Sequence, residues 1–227
     1  IHAPSLGTPE MSVLLLSTAG VAILHTLAGP DHYLPFVVLG RARRWSTARV
    51  VFWTTLCGAG HVGSSVLLAL VGVLLGHGLE QVRVVEEWRG NLAAWAMIAF
   101  GGVYLAWGLK RALRDAVHAH QHAAHGNGRG EEGFRFTPWV LFTIFVFGPC
   151  EPMIPLVMYP AAQGSWGDVW TVVLVFGGLT IVAMLAVVLC ALKGIRLLPT
   201  RAIERFNHAV AGGTILLAGC AIQFLGL

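Results

Sequence analysis

Several ionisable side chains lie inside stretches that are otherwise apolar. His25, Asp31 and His32 flank a Gly29-Pro30 pair, His61 lies in the middle of a long apolar run, and Cys150 and Glu151 follow a second pair, Gly148-Pro149. Imidazole combined with carboxylate and carbonyl oxygen suits borderline divalent ions such as nickel, cobalt or zinc, whereas calcium and magnesium prefer oxygen alone. A thiol at Cys150 would make the set softer still. These residues therefore predict a path for a transition-metal ion, with His25, Asp31, His32, His61, Glu151 and Cys150 as candidate metal-handling groups. A charged group at the bilayer centre costs at least about 2.5–3.5 kcal/mol, so such groups pair or serve a pathway. The bland alternative pairs Asp31 with a neighbouring histidine merely to hold helices together.

Geometry limits which of these groups can share an ion. His25 and His32 are seven residues apart, about 10.5 Å on a continuous helix, while a metal–imidazole bond is about 2 Å. Either the Gly29-Pro30 break folds the two together, or they serve successive stations, and His61 could complete either one. Proline inside a helix removes one backbone bond, so Pro30 should free the carbonyl of Thr26 and Pro149 that of Phe145. Irregular backbone at membrane depth is tolerated where it is buried in protein or lines a wet cavity. Both breaks, with Gly29, Pro30, Gly148 and Pro149, are therefore expected to face the interior.

The elements that must position these groups follow from composition. Of 227 residues, 56% are hydrophobic and 11% charged, with mean hydropathy +0.72; an ordinary soluble domain is about a quarter charged. That excludes a soluble enzyme and predicts an all-α polytopic membrane protein. Apolar runs bounded by charge give six spans near residues 11–29, 49–76, 91–109, 138–159, 168–192 and 207–226. Segments 79–90 and 193–206 mix charge with apolar residues and read as interfacial. The loops after spans one, three and five, counting Arg49 at the very start of span two with the first, hold 4, 5 and 4 Lys and Arg, together 13 of the chain's 15. The positive-inside rule makes them cytoplasmic and puts both termini outside, in what reads as a prokaryotic inner (plasma) membrane. The net charge of +4 then belongs to these loops, and nucleic acid is not an expected partner. Cys57, Cys150, Cys190 and Cys220 form no CxxC pair and predict no disulfide framework. The first residues, IHAPSLGTPE, lack the basic start of a signal peptide, and an opening Ile1 leaves room for something upstream.

A faint internal repeat relates Gly29-Pro30-Asp31-His32 and Pro35 to Gly148-Pro149-Cys150-Glu151 and Pro155, and other pieces keep an offset of 116 to 119 residues. A three-span unit repeated once must be inverted, a common transporter plan with discontinuous helices near the midplane. The expected organisation is one membrane domain: a first three-helix repeat over 1–113, a His-rich cytoplasmic loop over 114–137, and a second repeat over 138–227, with helices one and four broken. The loop carries His118, His120, His122 and His125, a composition suited to collecting metal. His77 and His208 read as interfacial anchors, while His2 is too isolated to interpret. Small residues in the spans, including Ser64 and Ser65, read first as packing surfaces.

At these motifs the sequence resembles the nickel/cobalt transporter superfamily, which includes proteins known as urease-accessory or nickel/cobalt efflux membrane proteins. HTLAGPDH, 25 to 32, looks like that family's first signature, and GHVGSS, Gly60 to Ser65, like its second. The resemblance covers mainly the first two spans. It implies that His25, Asp31, His32 and His61 handle the metal, and that the cargo is nickel or cobalt, with no tightly bound cofactor and no enzymatic activity. The His-to-His spacing is longer than in the family's importers, a proline precedes the aspartate, and the larger importers have eight spans. The His-rich loop is closer to the efflux branch and leans the direction of transport toward export without deciding it. GPCEPMIP, 148 to 155, also looks like the broken-helix cysteine motif of membrane thiol-disulfide electron carriers, but there Asp31 stands where a second cysteine would be needed. A non-transporting metal-binding accessory protein, with unknown metalloenzyme maturation partners, is the third reading.

Overall fold

The computed structural model describes residues 7–76, 78–118, 137–196 and 206–226. All of its regular elements are helical, and no strand occurs among the described residues. Among the described residues five helices are long and apolar enough to cross a membrane: α1 (Thr8–Ala28), α3 (Thr47–Leu74), α4 (Leu79–His118), α7 (Trp166–Arg196) and α8 (Asn207–Leu225). Their outward faces carry Leu16, Leu24, Leu74, Leu174 and Leu217, each at least 70% exposed, as surfaces facing hydrocarbon require.

The two proline pairs do break the chain. After α1 comes a single 3-10 turn, Pro30–His32, and then the nine-residue α2 (Leu34–Ala42). The expected fourth span, 138–159, is two short apolar helices, α5 (Thr137–Phe147) and α6 (Met153–Ala162), separated by the irregular stretch 148–152. The cause lies in Pro149 and Pro152, neither of which has an N–H to continue the backbone ladder.

The segment 79–90, read as interfacial, is continuous with the third span. It forms the first turns of α4, a 40-residue helix. Val82 is buried against Gly72 of α3, where a Cβ on Gly72 would strike it, and Glu86 is wholly buried. Of the charges that suggested an interface, Glu86 and Arg89 pair with each other and reach α3, as described below, while Glu80, Arg83 and Glu87 are exposed. Of the second expected interfacial segment, 193–196 is the end of α7, and 197–205 lies outside the described residues.

Helices α4 and α8 pack antiparallel, backbone against backbone. Gly101 and Gly108 on α4 and Gly212 and Gly219 on α8 each recur after one heptad. A Cβ on Gly101 would strike the Leu216 nitrogen, one on Gly108 the Ala209 nitrogen, and one on Gly212 the Leu105 nitrogen. Close backbone approach through small residues is how helices associate where lipid removes the hydrophobic drive. We expect Gly212→Ala to cost about 1–3 kcal/mol or more, read as a lower melting midpoint in detergent. Gly213→Ala, where a Cβ would meet nothing nearer than Leu105 Cδ1 at 3.9 Å, is expected to melt close to wild type.

Two apolar clusters result, one around Phe36, Leu39, Tyr104, Phe145 and Met184, the other around Val66, Cys150, Ile154 and Phe176. Phe145, just before the second break, and Cys150, within it, belong one to each.

Candidate metal centre

The site is assembled from four elements. His25 is half-buried in the last two turns of α1, His32 closes the 3-10 turn, His61 lies mid-way along α3, and Cys150 lies in the α5–α6 break. His32 and His61 are each 2% exposed, and Cys150 is fully buried.

Of the two possibilities for His25 and His32, folding together is the one found. The turn after Gly29 brings their ring centroids to 4.8 Å, and the His32 and His61 centroids to 5.0 Å. One nitrogen each of His25 and His61 lies with Cys150 Sγ within 4.8 Å of one another. His32 Nε2 faces His61 Nε2 at 3.3 Å, and Cys150 Sγ is 3.9 Å from His25 Nε2.

The outer nitrogens of both rings face acceptors. His61 Nδ1 is 3.3 Å from the Phe145 carbonyl, an acceptor, so Nδ1 carries the hydrogen and donates. This is the carbonyl that Pro149 was expected to free. The Gly148 N–H also donates to it, at 3.1 Å. His32 Nδ1 lies 3.1 Å from both the Gly29 carbonyl and Asp31 Oδ1, again acceptors, so it donates too. With both Nδ1 atoms used as donors, each ring, when neutral, presents Nε2 as a lone pair. Two such lone pairs 3.3 Å apart repel unless a proton or a metal ion is held between them.

A metal ion fits that gap. With metal–nitrogen bonds of about 2.0–2.1 Å, two imidazoles on a tetrahedral ion have their nitrogens about 3.3–3.4 Å apart, and an imidazole and a thiolate at about 2.3 Å have donor atoms about 3.6 Å apart. The observed 3.3 and 3.9 Å come close to both. Each break glycine makes room for its histidine: a Cβ on Gly29 would strike His32 Nδ1, and one on Gly148 would stand 3.2 Å from His61 Nδ1. Beside the cluster lies a cavity of about 270 Å³, bounded by His25, Asp31, His32 and His61 on one side and by Gly90 and Ala94 of α4 on the other.

Not every expected group joins. Glu151 is exposed and stands outside the cluster: consecutive residues of the break face opposite ways, and Cys150 is the one turned inward. Asp31 contacts the cluster through His32 Nδ1, orienting the ring. His118 is the last residue of α4, while His120, His122 and His125 lie outside the described residues, as do His2 and His77. His208 is not a simple anchor, because its Nδ1 is 2.9 Å from the hydroxyl of the wholly buried Tyr104.

Two functional-looking residues escaped sequence reasoning. Glu86 and Arg89 form an ion pair on α4. Ser65 donates to Glu86, whose Oε1 also accepts the Cys150 N–H at 2.9 Å. Arg89 Nη2 donates to Ser64 Oγ at 2.8 Å and to the Val146 carbonyl at 2.6 Å. The pair thus satisfies the second break from the α4 side and uses the two serines read as packing surfaces. A signal existed: Val82, Glu86, Arg89, Ala93 and Met97 recur every three or four residues, one helical face that continues the third span toward its N-terminal end.

Set against protein-family models, curated proteins and solved structures, the chain matches none of them. The site's chemistry therefore stands on its geometry. Asp31→Asn is expected to weaken metal binding about 10–100-fold, the usual effect of losing a carboxylate that orients a ligating imidazole, while isothermal titration still shows one binding event.

Proposed function

We propose that the chain is a secondary transporter for a divalent transition-metal ion, nickel or cobalt before zinc, which His25, His32, His61 and Cys150 pass through the membrane interior. The observation that carries this reading is the pair of opposed His32 and His61 Nε2 atoms at 3.3 Å, each ring held by its Nδ1 on a backbone carbonyl inside a broken-helix bundle. Asp31 offsets the ion's charge through His32. The His-rich loop after α4 collects metal at the cytoplasmic surface, and export is the preferred direction. The resemblance of HTLAGPDH and GHVGSS to the nickel/cobalt transporter signatures favours the same cargo.

The proposed scaffold has six crossings in two inverted repeats, with α5 and α6 together making the fourth. Two features support it. The helix before each break packs on the second helix of the opposite half, α1 on α7 and α5 on α3. The helices after the breaks, α2 and α6, both end in the same hydrogen-bonded turn. On this plan both termini face outward, in a prokaryotic inner membrane.

Protons and metal compete for the same Nε2 lone pairs, since a ligand must be deprotonated to bind. The sign follows: acidification toward and below the ordinary histidine range, about 6.5, expels the ion, and alkaline pH retains it. We expect reconstituted liposomes to release nickel or cobalt more slowly as the pH of the receiving compartment is raised, and a pH gradient to drive flux without ATP. Flux that is indifferent to pH on both sides would remove proton competition from the mechanism. In the same vesicles, a thiol-disulfide carrier would lose electron transfer but keep metal binding in Cys150→Ser, whereas a metal ligand at Cys150 loses affinity.

A further inference from the structure

A second site lies at the basic end of the bundle, away from the histidines. Helix α2 ends in a turn in which the Trp45 N–H donates to the Gly40 carbonyl at 2.9 Å and the Arg44 N–H to the Arg41 carbonyl at 3.1 Å, the paired bonds of a Schellman motif. That motif needs one residue in the left-handed region, usually glycine. Here it is Arg44, with φ of 50°, and among the described residues no other non-glycine has a positive φ.

The molecule contains its own comparison. Helix α6, which follows the other break, ends in the same motif, with Ser165 N–H to the Pro160 carbonyl and Gly164 N–H to the Ala161 carbonyl, both at 3.0 Å. There the left-handed position belongs to Gly164, φ 72°. Backbone preference would put glycine at both, so the arginine is held at residue 44 against it, and such strain points to use of the side chain.

Arg44 lines a cavity of about 310 Å³ together with Arg41, Trp45, Thr47, Leu192 and Lys193, and among the described residues no carboxylate lines it. Three cations from two elements converge there: Arg41 and Arg44 at the end of α2, and Lys193 near the end of α7. Thr47 opens α3, whose first-turn N–H groups add partial positive charge. Trp45 is buried, and Leu192 continues the wall toward the membrane-embedded part of α7. A group that matches these features is anionic, compact and joined to an apolar chain. We propose that this cavity binds the phosphate-bearing headgroup of an anionic phospholipid, as basic pockets between membrane helices do. Arginine offers the phosphate a planar fork of donors and lysine a point charge.

The test uses the full chain in non-ionic detergent and follows its melting midpoint while phosphatidylglycerol, phosphatidylcholine or inorganic phosphate is added. Phosphatidylglycerol is expected to raise the midpoint saturably and the other two to leave it unchanged. Arg44→Gly is expected to melt no lower than wild type without lipid, because glycine relieves the left-handed residue, yet to bind phosphatidylglycerol about fivefold more weakly. Lys193→Gln should weaken binding similarly, and it decides the matter alone if Arg44→Gly does not fold. Nickel affinity should stay unchanged in both variants. Equal shifts with phosphatidylcholine, a shift reproduced by inorganic phosphate, or full lipid affinity in the variants would each overturn the proposal.

Discussion

Replacing His61 with alanine is expected to lower nickel or cobalt affinity by more than about a hundredfold, beyond the 10–100-fold loss that follows removal of a group merely orienting a ligand. Flux in liposomes should fall to the level of empty vesicles. The size of the effect comes from position. His61 Nε2 is 3.3 Å from His32 Nε2, and a ring nitrogen of His61 lies within 4.8 Å of one on His25 and of Cys150 Sγ, so its removal takes away a donor atom central to the cluster. Alanine also leaves the Phe145 carbonyl without the imidazole N–H, although the Gly148 N–H still reaches it, and the fold should survive. Near-normal flux in His61→Ala would show that the ion travels elsewhere.

Arg89→Ala is expected to have the largest effect on stability. It would leave Glu86, wholly buried, as an uncompensated carboxylate, and it would remove the donor to the Val146 carbonyl. Breaking a buried pair by deleting one partner costs about 3–5 kcal/mol, enough to cancel much of a domain's total stability of about 5–15 kcal/mol. The measurable outcome is loss of monodisperse protein on extraction. The double variant Glu86→Gln, Arg89→Met should recover much of it, since replacing both members leaves no buried charge. A double variant no better than Arg89→Ala would mean that the hydrogen bonds to Ser64, Ser65 and the break outweigh the charges.

The parts legible in the sequence were those with a local cause. Proline without an N–H forced both breaks, so Gly29-Pro30 and Gly148-Pro149 could be placed from residue types alone, and the Phe145 carbonyl could be named as needing a partner. The long apolar helices followed from hydropathy. What stayed hidden depended on contacts between distant segments. Seven-residue spacing left two arrangements open for His25 and His32, because the direction in which a broken helix turns depends on what it packs against. Glu151 and Cys150 are adjacent, and nothing local says which one faces inward. Glu86 and Arg89 looked like a surface because charge in a linear reading marks an interface; their burial requires Ser64, Ser65 and the second break to lie opposite, which is a tertiary fact.

The central claim is that three imidazoles from α1, the following turn and α3 meet a thiol from the α5–α6 break on one ion. X-ray absorption of the detergent-solubilised protein, loaded with one equivalent of zinc or cobalt, addresses it directly. We expect imidazole scattering from nitrogens at about 2.0–2.1 Å and one sulfur at about 2.3 Å, with the sulfur absent in Cys150→Ser. A shell of six light atoms with neither imidazole nor sulfur would contradict the proposed centre.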